Sequence, residues 1–269
     1  MNSFELAWKI RRDSIEMVHA SHASHIGSIL SIADILAVLY TSVINVNKLN
    51  IGSPYRDRFI LSKGHAGVAV YAVLSELGFF DKALLKTYYS DGSVLSGHIS
   101  HKNVPGVEFS TGSLGHGIAV ATGMALYSKI HKAGFNVFTI VGDGELNEGS
   151  VWETAINAPG MMLDNFTVIV DRNNMQAMGN CNDIIKLDPI ADKWKSLGWH
   201  VINVPNGHDH HQLLDAFNSF QECKPKCIIA NTIKGKGISF MENSIVWHYK
   251  DPQGDFYTKA IEELEKNRP

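Results

Sequence analysis

The chain is short of cysteine, has no long apolar run and carries no block of like charge. Its three cysteines, Cys181, Cys223 and Cys227, are too few and too odd in number for a disulfide scaffold, and they fit a reducing compartment. No stretch is long and apolar enough to span a bilayer. The opening MNSFELAWKIRRDSIEMVHA mixes apolar and charged residues at helical spacing, and it lacks the unbroken apolar segment of a secretory signal. Lys and Arg total 24 against 27 Asp and Glu, a net charge of -3. With neither sign clustered, a dedicated nucleic-acid or polyanion binder is excluded. Repeats and Gly/Pro-rich linkers are also missing. These absences point to a soluble cytoplasmic protein with no membrane and no nucleic-acid partner.

What is present is a chain of 269 residues, 45% hydrophobic and 19% charged, with thirteen histidines. That composition supports a sizeable core. Helical spacing marks a first helix through Leu6, Ile10, Ile15 and Val18, and a second, mostly buried one over 31–44. Apolar runs at 56–62, 136–143, 165–171, 200–204 and 225–233 read as strands. Between them lie helix-like stretches over 63–78, 110–134, 150–160, 188–199 and 208–221. Strands that are apolar throughout, alternating with helices, predict an α/β fold: a doubly wound, mostly parallel sheet with helices on both faces. We expect one domain over 1–269. An irregular extension starts at about 238 and ends in a charged helix, YTKAIEELEKN.

Open parallel sheets bind ligands beyond the carboxyl ends of their strands. The informative stretches are therefore Ser62 to His65, Gly142 to Glu148, Asp171 to Met175 and Asn231 to Gly237. GDGELNEG, at 142–149, follows a strand and opens a helix. Asp143 stands at that strand's end; Asp171, Asn173 and Asn174 stand at the end of the next. A carboxylate beside a side-chain carbonyl suits a hard cation such as Mg2+, which often shares its shell with phosphates. Gly142 and Gly144 let the backbone approach such a group. GDG alone would be read as a tight turn with Asp143 as a helix cap. The interval from Asp143 to Asn173, 173 − 143 = 30 residues, is one helix plus one strand, and it shifts the reading.

GDG followed by Asn at that distance resembles the thiamine diphosphate signature. GDGELNEGSVWE followed by DRNNMQ is similar to the N-terminal half of transketolase. RRDSIEMV, FILSKGHA, SGH, PGVEFSTGSLGHG, and IKGKG followed by WH agree in order and spacing. The resemblance covers essentially the whole chain. It implies the thiamine diphosphate-binding fold of the diphosphate-holding type. By it, Asp143 and Asn173 ligate Mg2+ (Ca2+ or Mn2+ being alternatives) and Met175 adds its carbonyl. Gly144 donates an amide to the diphosphate. Ser28, His65 and Lys234 line the diphosphate side. Gly112, Ser113 and Leu114 belong to the cofactor set, with Gly112 and Leu114 facing the aminopyrimidine. His25, His65, His98 and His248 are the catalytic set, because sugar hydroxyls must lose and regain protons and imidazole titrates near neutrality. Glu148 and Glu153 lie at a subunit contact beside the cofactor.

The same resemblance implies a missing half. The glutamate that activates the cofactor belongs to a separate pyrimidine-binding domain, so the chain is expected to work with a partner subunit, two copies of each. The reaction implied is transfer of a two-carbon ketol unit from a ketose, phosphorylated or an analogue, to an aldose. Alternatives are a subunit of another split thiamine diphosphate enzyme, of the 2-oxoacid dehydrogenase, decarboxylase or deoxyxylulose phosphate synthase type, or a non-catalytic binding module. Four short stretches depart from the family pattern: SHIG (24–27), GHI (97–99), LGHG (114–117) and WHY (247–249). We expect from them a sugar other than the usual pentose phosphates, such as a branched, deoxy or sulfonated one.

Several residues are expected to be structural. His19, His22 and His101 match no family position. HDHHQ (208–212) with Cys223 and Cys227 resembles a zinc set only superficially; Asp209 reads as an N-cap with Gln212 closing a capping box. Glu145 reads as a first-turn acid. Arg56 and Lys250 stay open between reaching a substrate phosphate and a solvated surface role, which is the default for both.

Overall fold

A computed structural model describes all residues, 1–269. Five strands form one sheet: β1 (Arg58–Leu61), β2 (Val137–Gly142), β3 (Phe166–Arg172), β4 (His200–Val204) and β5 (Lys226–Asn231). Every pairing is parallel, in the order β1-β2-β3-β5-β4. The apolar runs resolve into two faces by simple alternation. Phe138, Ile140, Ile169, Ile228 and Ala230 point to one core, and Val137, Val141, Val168, Val170 and Ile229 to the other.

The first core is covered by α1 (Ser3–Ser21), α2 (Ile26–Ser31), α3 (Ala33–Val38), α4 (Gly67–Glu76), α9 (His210–Asn218) and α10 (Asp255–Lys266). The second is covered by α5 (His116–Ile130), α6 (Gly149–Gly160) and α8 (Ile190–Ser196). A short turn of helix, α7 (Cys181–Ile184), lies outside both. The doubly wound α/β architecture is as the sequence predicts. α10 returns to the start of the chain, where Trp8 Nε1 donates to the Leu264 carbonyl at 2.8 Å.

Two elements differ from expectation. The helix expected over 31–44 is broken at Ile32, which separates α2 from α3, and it ends in a wide π turn over Leu39–Val43. Ser31 explains the break: its hydroxyl lies against the Ser28 carbonyl at 3.0 Å and Asp171 at 2.7 Å. A serine bonded back into its own helix bends it. The strand at 200–204 is an edge strand, with its first three residues half-buried and Asn203 exposed. Its apolar run still serves both faces, with Ile202 and Val204 on the first core and Val201 on the second.

At its carboxyl end β1 turns sharply through Ser62 and Lys63 into a short 3-10 turn, Gly64–Ala66. Gly64 is required there. A Cβ would stand 2.3 Å from the Thr111 carbonyl oxygen, and backbone cannot move aside as a side-chain tip can. We expect Gly64→Ala to lower stability by roughly 3 kcal/mol, read from urea denaturation; a change within roughly 0.5 kcal/mol would contradict this packing.

Candidate active site

Because all strands run the same way, their carboxyl ends meet along one sheet edge. There the segments after β1, β2, β3 and β5 enclose a cavity of about 310 Å³. Thirteen of the expected site residues line it: His25, Ser28, His65, His98, Gly112, Leu114, Gly142, Asp143, Gly144, Asn173, Met175, Lys234 and His248. Lys63, Glu145, Gln176, Ala177 and Met178 complete the wall. Ser113, Glu148 and Glu153 do not line it and are exposed, the two glutamates at the start of α6.

The floor is built on Asp171. Register pairs Gly142 with Asp171, which brings Asp143 beside Asn173. Asp171 is fully buried and is bonded by Lys63 Nζ at 2.6 Å, Ser31 Oγ at 2.7 Å, Asn173 Nδ2 at 3.1 Å and the Thr232 hydroxyl. Burial alone would raise its pKa; the Lys63 charge and these bonds override that and lower it. Asp143 differs. Burial, and then the neighbouring Asp171 charge, push it up to about 6. Its oxygens accept from the Gly144 amide at 2.8 Å and from the Asn174 amide. Asn173 Oδ1 accepts from the Met175 amide at 3.1 Å.

Each of these oxygens keeps a further lone pair, so the donor set is all oxygen and hard, as a small divalent cation requires. Two buried lysines face the same space. Lys234 Nζ lies 3.1 Å from His248 Nδ1 and 3.4 Å from the Met175 carbonyl; burial pushes its pKa down to about 8. Oxygen ligands for a cation beside two amines for an anion fit a metal–diphosphate pair.

Above the floor the histidines converge on His25. Its ring centroid lies 5.2 Å from His65, 5.6 Å from His98 and 5.0 Å from His248. The His25 backbone, at φ 76, donates to the His248 carbonyl at 2.7 Å. Burial, followed by the nearby cations, lowers these imidazoles: His25 to about 4, His248 to about 3 and His65 well below its ordinary value. They are neutral bases at physiological pH. Tyr249, 67% exposed, rims this cluster, with its ring 4.8 Å from His248.

The sequence profile of "Transketolase, thiamine diphosphate binding domain" matches residues 3–254. The chain belongs to the transketolase family. It is 40% identical to the 6-deoxy-6-sulfo-D-fructose transketolase subunit of Clostridium sp. (strain MSTE9), over 86% of this chain and 84% of that one. It is 37% identical to an apulose-4-phosphate transketolase subunit of Phocaeicola vulgatus, over 95% of this chain and 91% of that one. The crystal structure of transketolase from Campylobacter jejuni superposes with a TM-score of 0.90 at 31% identity, covering 98% of this chain and 43% of that chain.

Within this transketolase fold several readings need correction. Glu145 does stand in the first turn after β2, but it is more than a first-turn acid. It is 1% exposed and gathers three loops, accepting from the Ser62 hydroxyl, the Gly115 amide at 2.8 Å and the Gly142 amide at 3.1 Å. Arg56 is not solvated; it is half-buried and paired with Glu108. Lys250 is exposed, with its amine 4.0 Å from the Phe256 ring centroid. Asp209 caps α9 as expected, through the His211 and Gln212 amides. Gln212 bonds the Asp209 side chain rather than its amide, so no capping box forms. His208 and His210 are bound to Asp34, Cys227 is buried in β5 and Cys223 is exposed. His19 stacks on Tyr257, His22 bonds Asp251 and His101 bonds Ser110, all away from the cavity.

Of the four departures from the family pattern, Ile26 and Ile99 are buried in the core. His116 and Tyr249 present exposed side chains. Lys63 went unmarked in the sequence. A lysine set between an apolar strand and a glycine turn was its only signal.

The depressed histidines have a pH consequence. Unfolded, they protonate near 6.5; folded, His25 does so only near 4. Stability from this cluster is therefore complete above about pH 6.5 and is lost as pH falls toward 4. Imidazole NMR signals of His25 and His248 should stay unshifted from pH 8 to 5, and titration of either in that range would refute the assignment.

Proposed function

We propose that this chain is the diphosphate-binding subunit of a two-subunit, thiamine diphosphate-dependent transketolase that moves a two-carbon ketol unit from a ketose to an aldose. One observation carries the reading: an oxygen pair from Asp143 and Asn173, two buried lysines and a neutral histidine cluster share one cavity. The relatives named as subunits support the division of labour, since this chain spans 84% and 91% of them but 43% of a single-chain transketolase. The partner is then a pyrimidine-binding subunit, with two copies of each chain. Glu148 and Glu153, exposed in the isolated chain, are assigned to that subunit contact.

Asp143 and Asn173 would hold Mg2+, or another hard cation of its class, through side-chain oxygens, with the Met175 carbonyl added. Gly142 and Gly144 keep side chains out of the approach, and the Gly144 amide, donated here to Asp143, is assigned to the diphosphate. Lys63, Lys234, His65 and Ser28 face the diphosphate. Gly112, Ser113 and Leu114 are assigned to the ring side, although Ser113 stands back from the cavity. Bound there, the cofactor supplies the electron sink that C2–C3 cleavage of a ketose needs. His25, His65, His98 and His248 accept and return protons at sugar hydroxyls, and the lowered pKa of His25, His65 and His248 suits those three to begin as bases. Lys63 and Lys234 also make the cavity attractive to an anion.

The substrate is proposed to be a ketose phosphate or analogue outside the common pentose phosphates. Relatives named for 6-deoxy-6-sulfo-D-fructose and apulose-4-phosphate support this, and so does Tyr249 at the rim of the histidines. No helix is long and apolar enough to cross a membrane. A cytoplasmic location is proposed from the three free cysteines.

Two measurements test the reading. In the enzyme assembled with its pyrimidine-binding partner, Asp143→Ala should weaken Mg2+-dependent thiamine diphosphate binding at least about a hundredfold by calorimetry; unchanged binding would sink the site assignment. Tyr249→Gly should shift the kcat/KM preference among donor ketoses by about tenfold or more. Identical preference ratios would remove Tyr249 from donor choice.

A further inference from the structure

Behind the segment that carries Lys234 lies a buried network separate from the cavity. Asp34, on α3, is 5% exposed and binds three cations or imidazoles at once. Arg11 donates to both of its oxygens. His208 Nδ1 lies 2.7 Å from Oδ2, and His210 Nε2 lies 3.0 Å from Oδ1. Burial pushes the Asp34 carboxyl up; the Arg11 charge and bonds from the two histidines and Arg11 override it and hold it well below its ordinary value.

Two members of this network reach the Lys234 segment. The Ile233 amide donates to His208 Nε2 at 2.8 Å, and Arg11 Nε donates to the Lys236 carbonyl at 3.0 Å. An amide nitrogen can only donate, so His208 Nε2 must accept. The proton then sits on Nδ1, directed at Asp34. Every neighbouring residue of the segment is tied as well. The Thr232 hydroxyl bonds Asp171, the Gly235 amide bonds the Gly27 carbonyl at 2.9 Å, and the Gly237 amide bonds Glu242 at 3.1 Å. Gly237, at φ 98, lies so close to Arg11 that a Cβ would meet Arg11 Cδ at 3.0 Å.

We propose that His208, held in one tautomer by Asp34, is a positioning residue that fixes the Ile233–Lys234 backbone and so aims the Lys234 amine into the cavity. The histidine run that resembles a zinc set is thereby part of the cofactor site's support. A side chain of four methylenes has many rotamers, and its amine is placed only as well as its backbone is. This inference rests on the reading of Lys234 as a cation for the diphosphate.

Two conservative variants separate the bonds. In His208→Gln the amide reaches the Nε2 position and keeps the acceptor for Ile233. In His208→Asn it reaches only the Nδ1 position, keeping Asp34 and losing Ile233. Amide hydrogen exchange over 232–237, in the chain alone, should quicken in His208→Asn and stay slow in His208→Gln. In the assembled enzyme, half-saturation by thiamine diphosphate should rise about tenfold for His208→Asn and within about threefold for His208→Gln, with kcat at saturating cofactor little changed. Equal behaviour of the two variants in both measurements overturns the proposal. Separation in exchange without separation in half-saturation overturns the link to Lys234. Lys234→Ala, measured alongside, identifies the other failure: unchanged half-saturation there removes the functional reading of Lys234 itself.

Discussion

Asp171 and Lys63 form an ion pair at 2.6 Å where neither side chain reaches water. A charge left alone in such a place costs several kcal/mol, so the surrounding chain is arranged to satisfy both partners. The Asp171 carboxylate takes donors from α2, from the segments after β1 and β5, and from its own strand end. The separate segments that build the cavity are thus tied to one buried anion. Moving any of them would strand a hydrogen bond or a charge.

The same pair adds to the electrostatics above it. Burial is what lowers His25, His65 and His248 most, and the Lys63 charge adds to it at all three. Burial raises Asp143, and the Asp171 charge adds to it. The site therefore holds imidazoles without protons beside a carboxyl at about 6. A divalent cation would relieve the crowded carboxylates, and an anion would relieve the lysines. A metal–diphosphate group, if bound, would meet both demands, and the chain's family is one whose domain binds thiamine diphosphate.

Much of this was legible in the residues. Alternating strands and helices predicted the sheet, and the rule that ligands sit beyond strand ends selected stretches that the fold brings together around one cavity. The interval between Asp143 and Asn173 puts the two side by side because parallel register turns a fixed count of residues into spatial neighbours. What failed shares one cause. Glu145 stands three residues from β2 in sequence, yet its partners are Ser62 and Gly115, 83 and 30 residues away. Lys63 is held where it is by Asp171, 108 residues on. Ser31, beside the bend at Ile32, reaches the same aspartate 140 residues on. Local pattern shows a residue's type and its face; it does not show which distant group will share its burial.

The sequence by itself determined the fold class, the family and the strand ends where chemistry collects, because each of these is written in short-range periodicity and spacing. Tertiary structure alone decided which charges are buried, which histidines lose their protons, and which acid is a hub instead of a surface group. Those outcomes depend on desolvation, and desolvation is a property of all the chain packed around a group. HDHHQ carries both halves of this lesson. Its capping aspartate was readable from four residues, whereas His208's bond to Ile233 exists only because α3, α9 and the end of β5 meet around Asp34.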